Sequence, residues 1–210
     1  MQDFGLARRA MVDNQLRPEG VTDRGVLGAM STVERERFVP DEARAYAYFD
    51  RPLKVAPGRS MMPPAALGKL LTELAPRAGE RALIIGSATG YSAALLNSIG
   101  LDVIAVESDT TLSAAAVANG IETVSGDLAS GWAKGAPYDL ILLDGAVEEI
   151  PPALVRQLRD GGRLAAAILD NGVSRLVVGR ALGDALGLRT IADAEVERIP
   201  GFERPRAFTF

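Results

Sequence analysis

The sequence predicts an α/β fold: a twisted, mostly parallel sheet flanked by helices, closed by a C-terminal antiparallel hairpin and preceded by a helical N-terminal extension. Three observations predict it. From residue 81 onward, short apolar runs of strand length alternate with helix-type segments. Two of those runs, Ala82-Leu83-Ile84-Ile85 and Leu140-Ile141-Leu142-Leu143, are apolar at every position, the pattern of strands covered on both faces. After residue 170 the texture changes to two β-type runs around a glycine-containing turn.

In chain order, residues 1–55 read as helical, and 50–64, with four prolines, cannot be one regular element and read as a loop lying over something. Parallel strands are expected at 81–85, 102–106, 122–125, 138–143 and 163–168. Alanine-rich helices fall between them at 92–99 and 112–119, with Gly100 and Gly120 placed to stop each. The hairpin is expected as 174–182 and 188–196 around the turn 183–187. Beyond it, Phe202, Phe208 and Phe210 stand ready to cover the core or a partner.

Composition excludes whole reaction classes. The 210 residues are 48% hydrophobic and 24% charged, with 23 basic against 27 acidic side chains for a net charge of −4, an ordinary globular balance. Histidine and cysteine are absent. That removes an imidazole base, Ser/His/Asp and Cys/His relays, disulfides, and zinc held by His or Cys. Dispersed charge argues against nucleic acid, and Arg35, Arg37 and Arg44 are expected on a solvated helix face. Residues 1–11 lack the apolar stretch of a signal peptide and no run reaches membrane-span length, so a cytoplasmic setting with no membrane partner is expected.

The first strand runs into Gly86-Ser87-Ala88-Thr89-Gly90-Tyr91 and then a helix. A glycine turn there lets backbone approach a ligand and presents N–H groups at a helix N-terminus. Glu107 closes the second strand, where a carboxylate can accept both hydroxyls of a ribose. Three readings compete: a turn needed only for strand–helix packing, a nicotinamide site, and a site for S-adenosylmethionine (SAM). Ala88 in place of the second glycine, and the lack of a third, weaken the nicotinamide reading. The order of features favours SAM: glycine loop, Glu107-Ser108, then Gly126-Asp127-Leu128 and Asp144-Gly145 after the third and fourth strands. Asp127 could receive the adenine amine and Asp144 face the sulfonium or amino group; equally, Asp127 could close an Asx-turn and Asp144 cap a helix.

The chain resembles the protein-L-isoaspartate O-methyltransferase family, as a divergent member. Met11-Val12, Gln15-Leu16, Val21, Val26-Leu27, Ala29-Met30 and Phe38-Val39-Pro40 look like that family's N-terminal helical signature. Ala45-Tyr46, Gly58, Pro64, the loop 86–91, Val106-Glu107, Gly126-Asp127, Gly131-Trp132, Tyr138-Asp139, Ile150-Pro151 and Gly161-Gly162 follow in matching order. The resemblance implies a Rossmann-like SAM-dependent methyltransferase of one compact unit, with a helical extension and substrate-loop region in 1–64 and the SAM-binding core in 65–210. It also implies methylation of a carboxylate of damaged aspartyl residues in proteins or peptides. Such an acceptor, with a reference pKa of about 4, arrives ionised at neutral pH and needs no general base.

Three departures fall on functional positions. The family's Gly-Gln-Thr-Ile-Ser-Gln-Pro loop is here Gly58-Arg59-Ser60-Met61-Met62-Pro63-Pro64, so Met62 replaces the acceptor-binding hydroxyl while Ser60 keeps one. Ile84 replaces the acid before the glycine loop, and Ala88 its central glycine. They leave open two alternatives: a SAM methyltransferase with another acceptor, and a catalytically silent protein of the same fold.

Overall fold

The computed structural model describes residues 3–204. Helix α1 (Phe4–Met11) is capped by the Asp3 carboxylate, which accepts from the Leu6 amide at 2.9 Å, and passes into a wider turn at Val12–Leu16. Asp23 caps α2 (Arg24–Thr32) in the same way. Two short 3₁₀ segments follow, Arg35–Phe38 and Asp41–Tyr46. The proline-rich stretch, expected as a loop, is a two-stranded antiparallel ribbon, β1 (Leu53–Ala56) and β2 (Arg59–Met61), turning at Gly58 with φ +68°. Its prolines, at 52, 57, 63 and 64, lie outside the paired residues, which is why they are compatible with pairing.

Helix α3 (Pro64–Leu74) leads into the main sheet: β3 (Arg81–Ile85), α4 (Tyr91–Ile99), β4 (Asp102–Glu107), α5 (Thr110–Ala118), β5 (Thr123–Ser125), β6 (Tyr138–Val147), the single turn α6 (Pro152–Val155), β7 (Leu158–Asp170), β8 (Val173–Leu182) and β9 (Ala185–Asp193). The strand order is β5-β4-β3-β6-β7-β8-β9. Five strands are parallel, β8 runs against them, and β9 reverses again. The final strand begins three residues before the expected 188 and the turn is only Gly183-Asp184, because Leu182 already pairs with Ala185. Gly100, at φ +99°, ends α4 as expected.

β3 and β6 are buried on both faces. Ala82, Ile84, Leu140 and Leu142 face the layer built with α1, α2, α3 and α4; Leu83, Ile85, Ile141 and Leu143 face Leu128, Leu154, Ile199 and Phe202. Each fully buried Leu or Ile contributes about 1.5–3 kcal/mol of transfer free energy. Ile84 is therefore a core residue, and an acid in its place would be enclosed by hydrocarbon. Phe202 covers the core; Phe208 and Phe210 lie outside the described residues. Sheet order reverses between β3 and β6, and the crevice at their carboxyl ends is where α/β sheets of this type bind ligands.

Candidate cofactor and acceptor site

The loop after β3 keeps the tight turn that the sequence implies. Gly86 and Gly90 have φ +74° and +96°, and Ala88 adopts the left-handed conformation at φ +49° despite its side chain. Two anchors hold it there. The Ala88 amide donates to Glu107 Oε2 at 2.8 Å, and the Thr89 hydroxyl donates to the Phe38 carbonyl at 2.6 Å.

The second half of the loop is thus committed to the N-terminal extension. Tyr91 is buried under Phe38, ring to ring at 5.5 Å, and under the Arg35 guanidinium at 4.7 Å. Arg35, expected on a solvated face, is fully buried: Nε donates to the Ala47 carbonyl and Nη2 to that of Met62, both at 2.7 Å. It ties the segments 35–38 and 41–46 to the end of the ribbon. Arg37 and Arg44 are exposed, paired with Glu34 and Asp41.

Glu107 ends β4, fully buried, and accepts six hydrogen bonds, the longest from the Ser108 hydroxyl to Oε1 at 3.5 Å. Ser108 N and Asp109 N reach Oε1 at 2.8 and 3.0 Å, Ala88 N reaches Oε2, and Arg59 of β2 grips both oxygens, Nη1 to Oε1 at 2.5 Å and Nη2 to Oε2 at 2.7 Å. Arg59 Nη2 also donates to the Gly86 carbonyl at 3.0 Å. A carboxylate has about four lone-pair sites, so this one is saturated. The sequence expectation places a ribose on Glu107; in this structure its side-chain partner is Arg59, a cation standing where the resembling loop has a neutral polar residue.

Asp144 lies within β6, not beyond it, at the irregularity where pairing with β7 shifts between Leu142 and Ala146. It caps no helix. It sits one residue past Leu143, the last residue paired to β3, which aims it into the crevice. Its carboxylate accepts from the Ser92 hydroxyl at the start of α4. Burial pushes its pKa up to about 6, against the lowering effect of that hydrogen bond and of the Arg59 and Arg35 guanidinium groups. Asp127 takes the local alternative: its Oδ2 accepts from the Ser130 amide at 3.0 Å and from the Ser130 hydroxyl, closing a turn. Leu128 is buried in the adjoining core, and Ser108 lines the outer cleft.

The two acceptor-loop residues separate. Ser60 stands at the rim, its hydroxyl donating to Glu197 Oε2 at 3.0 Å. Met62 is buried in the core and offers the site only its carbonyl, already held by Arg35. The position where the resemblance places a hydroxyl is here a packing position.

The donor set fits an adenosine-bearing amino-acid ligand. Ser87 Oγ is buried without a hydrogen-bond partner among the described residues, and the glycine loop, Glu107 and Asp144 converge on one crevice. The space between them is held by side chains: Arg59 on Glu107, and Ile199, which stands so close that a Cβ on Gly86 would lie 3.2 Å from it and one on Gly145 would collide with it.

Fold and site together define a Rossmann-like methyltransferase with the SAM-type arrangement of glycine loop and strand-end acids. Its family follows from comparison with known proteins: the family model for protein-L-isoaspartate(D-aspartate) O-methyltransferase matches residues 7–187. The chain is 39% identical over 168 residues to a protein-L-isoaspartate O-methyltransferase of Methylorubrum populi, covering 77% of this chain and 79% of that one. It is 36% identical over 172 residues to the Koribacter versatilis protein of the same name, covering 79% and 78%. A solved protein-L-isoaspartate O-methyltransferase shares the fold at TM-score 0.82 and 23% identity, covering 92% of this chain and 66% of that one. A Plasmodium falciparum structure in complex with S-adenosyl-L-homocysteine does so at 0.77 and 19%, covering 90% and 96%. The chain belongs to the protein-L-isoaspartate(D-aspartate) O-methyltransferase family, whose members are SAM-dependent methyltransferases.

Proposed function

We propose that this protein transfers the methyl group of SAM to a carboxylate of damaged aspartyl residues in proteins or peptides, working in the cytoplasm. The observation that carries the reading is the continuous family match from residue 7 to 187, which includes the N-terminal extension as well as the sheet. In this reading residues 1–64 form the acceptor side and 65–210 the cofactor side of one unit.

When bound, SAM supplies an electrophilic methyl on a cationic sulfur. Gly86 and Ser87 hold the ligand through backbone and hydroxyl, and Ala88, Thr89, Gly90 and Tyr91 fix the loop against the extension. Glu107 with Ser108 serves the ribose, and Asp127 with Leu128 shapes the adenine end. Asp144, half-buried and close to the crevice, supplies the negative charge that a sulfonium or ammonium group requires. An acceptor carboxylate is ionised at neutral pH, so alignment and exclusion of water carry the rate, and the absence of histidine removes nothing the reaction uses. Since the Met62 side chain is in the core, hydrogen bonding to the acceptor falls to the Ser60 hydroxyl.

The test is incubation of the purified protein with methyl-labelled SAM and a pair of peptides differing only in an aspartyl or isoaspartyl link. Base-labile volatile methyl ester from the isoaspartyl peptide alone is expected. SAM binding without ester on that peptide would sink the acceptor assignment.

A further inference from the structure

We infer that Arg59 is a built-in competitor of the cofactor: its guanidinium occupies the Glu107 carboxylate that a ribose diol needs, and a strap formed by residues 197–204 holds it there. This rests on the cofactor reading above and assigns a regulator of that same site.

The ion pair is bidentate and enclosed, with side-chain exposure of 6% for Arg59 and 0% for Glu107. Including its three backbone donors, Glu107 has no lone pair left for two ribose hydroxyls. A diol and Arg59 are therefore mutually exclusive on it. Arg59 does not float into this place. It is carried by β2, which pairs with β1 at Leu53–Met61, Lys54–Ser60 and Ala56–Arg59, and its third bond, to the Gly86 carbonyl, pins it to the glycine loop itself.

The strap closes the other side. Ile199 N donates to the Ala146 carbonyl at 3.0 Å and Ala146 N to the Glu197 carbonyl at 2.8 Å, so the strap runs parallel to the end of β6. Arg198 pairs with Glu148 at 3.1 Å, Arg204 N reaches the same carboxylate at 2.9 Å, and Glu197 accepts from Ser60 on the ribbon. These bonds seat Ile199 against Gly86 and Gly145. Outside lies an open cleft of about 530 Å³, bordered by Arg59, Ser108, Asp109, Arg198, Ile199 and Glu203. Arg59 and Ile199 thus touch the glycine loop on one side and line a solvent cleft on the other, the position of a door.

Binding then requires Arg59 to leave Glu107 and Ile199 to leave the loop. Apparent affinity falls by the fraction of molecules in which both have moved, and a minor state below about 10% weakens it at least tenfold. Both openings are local. Arg59 needs only to swing toward the cleft it already borders, where Asp109 and Glu203 offer replacement charges.

The experiment is calorimetric titration of the full chain with S-adenosyl-L-homocysteine, which binds without turning over. Wild type, Arg59→Gln and Ile199→Ala are compared, each checked for folding by circular dichroism. The expected result is a dissociation constant at least tenfold lower in both variants. In stopped-flow binding the wild-type association rate should level off at high ligand, set by opening, and Arg59→Gln, with Ile199 alone left to move, should level off at a higher rate. Ile199→Ala leaves the ion pair intact and carries the test if Arg59→Gln fails to fold. Wild-type binding that neither variant tightens overturns the competitor and leaves the cofactor reading standing. No binding by any folded variant overturns both.

Discussion

Replacing Asp144 by Asn should flatten a pH dependence that the wild-type fold carries against the usual trend. The carboxylate is half-buried beside Ser92, with the Arg59 and Arg35 guanidinium groups lowering its pKa and Glu107 raising it, and the balance of burial over these sets its pKa near 6. The unfolded reference is 3.8. Between these values the folded chain holds a proton that the unfolded chain has released. Stability follows the protons bound unfolded minus those bound folded, which is negative here, so this group's contribution is complete below pH 3.8 and lost as pH rises through 6. At 1.36 kcal/mol per unit the interval amounts to at most about 3 kcal/mol. Asn keeps an acceptor for Ser92 and cannot ionise. Urea unfolding of wild type and Asp144→Asn at pH 4, 5, 6 and 7 should show the variant gaining on wild type by roughly 2–3 kcal/mol across the series. Subtracting the two curves cancels the other carboxylates. Parallel curves, with a difference constant to about 0.5 kcal/mol, would refute the assignment of a buried, proton-holding Asp144. The same group links pH to ligand binding: a sulfonium near Asp144 favours its ionised form, so SAM affinity in wild type should rise through pH 6 and that of Asp144→Asn should not.

Ala88→Gly should stabilise the fold by about 1 kcal/mol, since the left-handed conformation at φ +49° strains an L side chain and not glycine; a thermal melt should move up by roughly 2–4 °C, and an unchanged or lowered midpoint would contradict it. Met62→Ser should cost about 2–5 kcal/mol in urea unfolding without speeding ester formation, because the side chain packs in the core; a faster methyl transfer would show that the position faces the acceptor after all. Thr89→Val should lose about 1 kcal/mol by removing the bond to the Phe38 carbonyl that joins glycine loop to extension, read as a lower urea midpoint.

Strand identity was legible wherever it depended on local apolar pattern. Positions 82–85 of β3 and 140–143 of β6 are apolar throughout because each run is covered on both faces. Failures came where a distant residue supplies the partner. The ribbon at 53–61 reads as a loop because each of its strands has at most four residues and prolines flank them; only cross-strand pairing, invisible locally, makes it a strand pair. Arg35 reads as solvated because arginine nearly always is; it is buried because Ala47 and Met62 offer carbonyls and Tyr91 a ring face, none of them near in sequence.

The same limit explains the site. The strand-end position of Glu107 is legible in the sequence, and its partner is not, because a carboxylate does not reveal whether it faces a diol or a guanidinium. Two of the three departures, Ala88 and Met62, look independent in sequence and are not so in space. Ala88 gives its amide to the carboxylate that Arg59 grips, Arg59 belongs to the same ribbon as Met61 and Ser60, and Met62 is tied by its carbonyl to the arginine that covers Tyr91 of the glycine loop. A cation at position 59 neutralises a fully buried Glu107, which unpaired would cost several kcal/mol. Once that pair is built into the fold, anything that binds Glu107 must first replace it, and the affinity of this site is set by the difference between two partners and not by the strength of either.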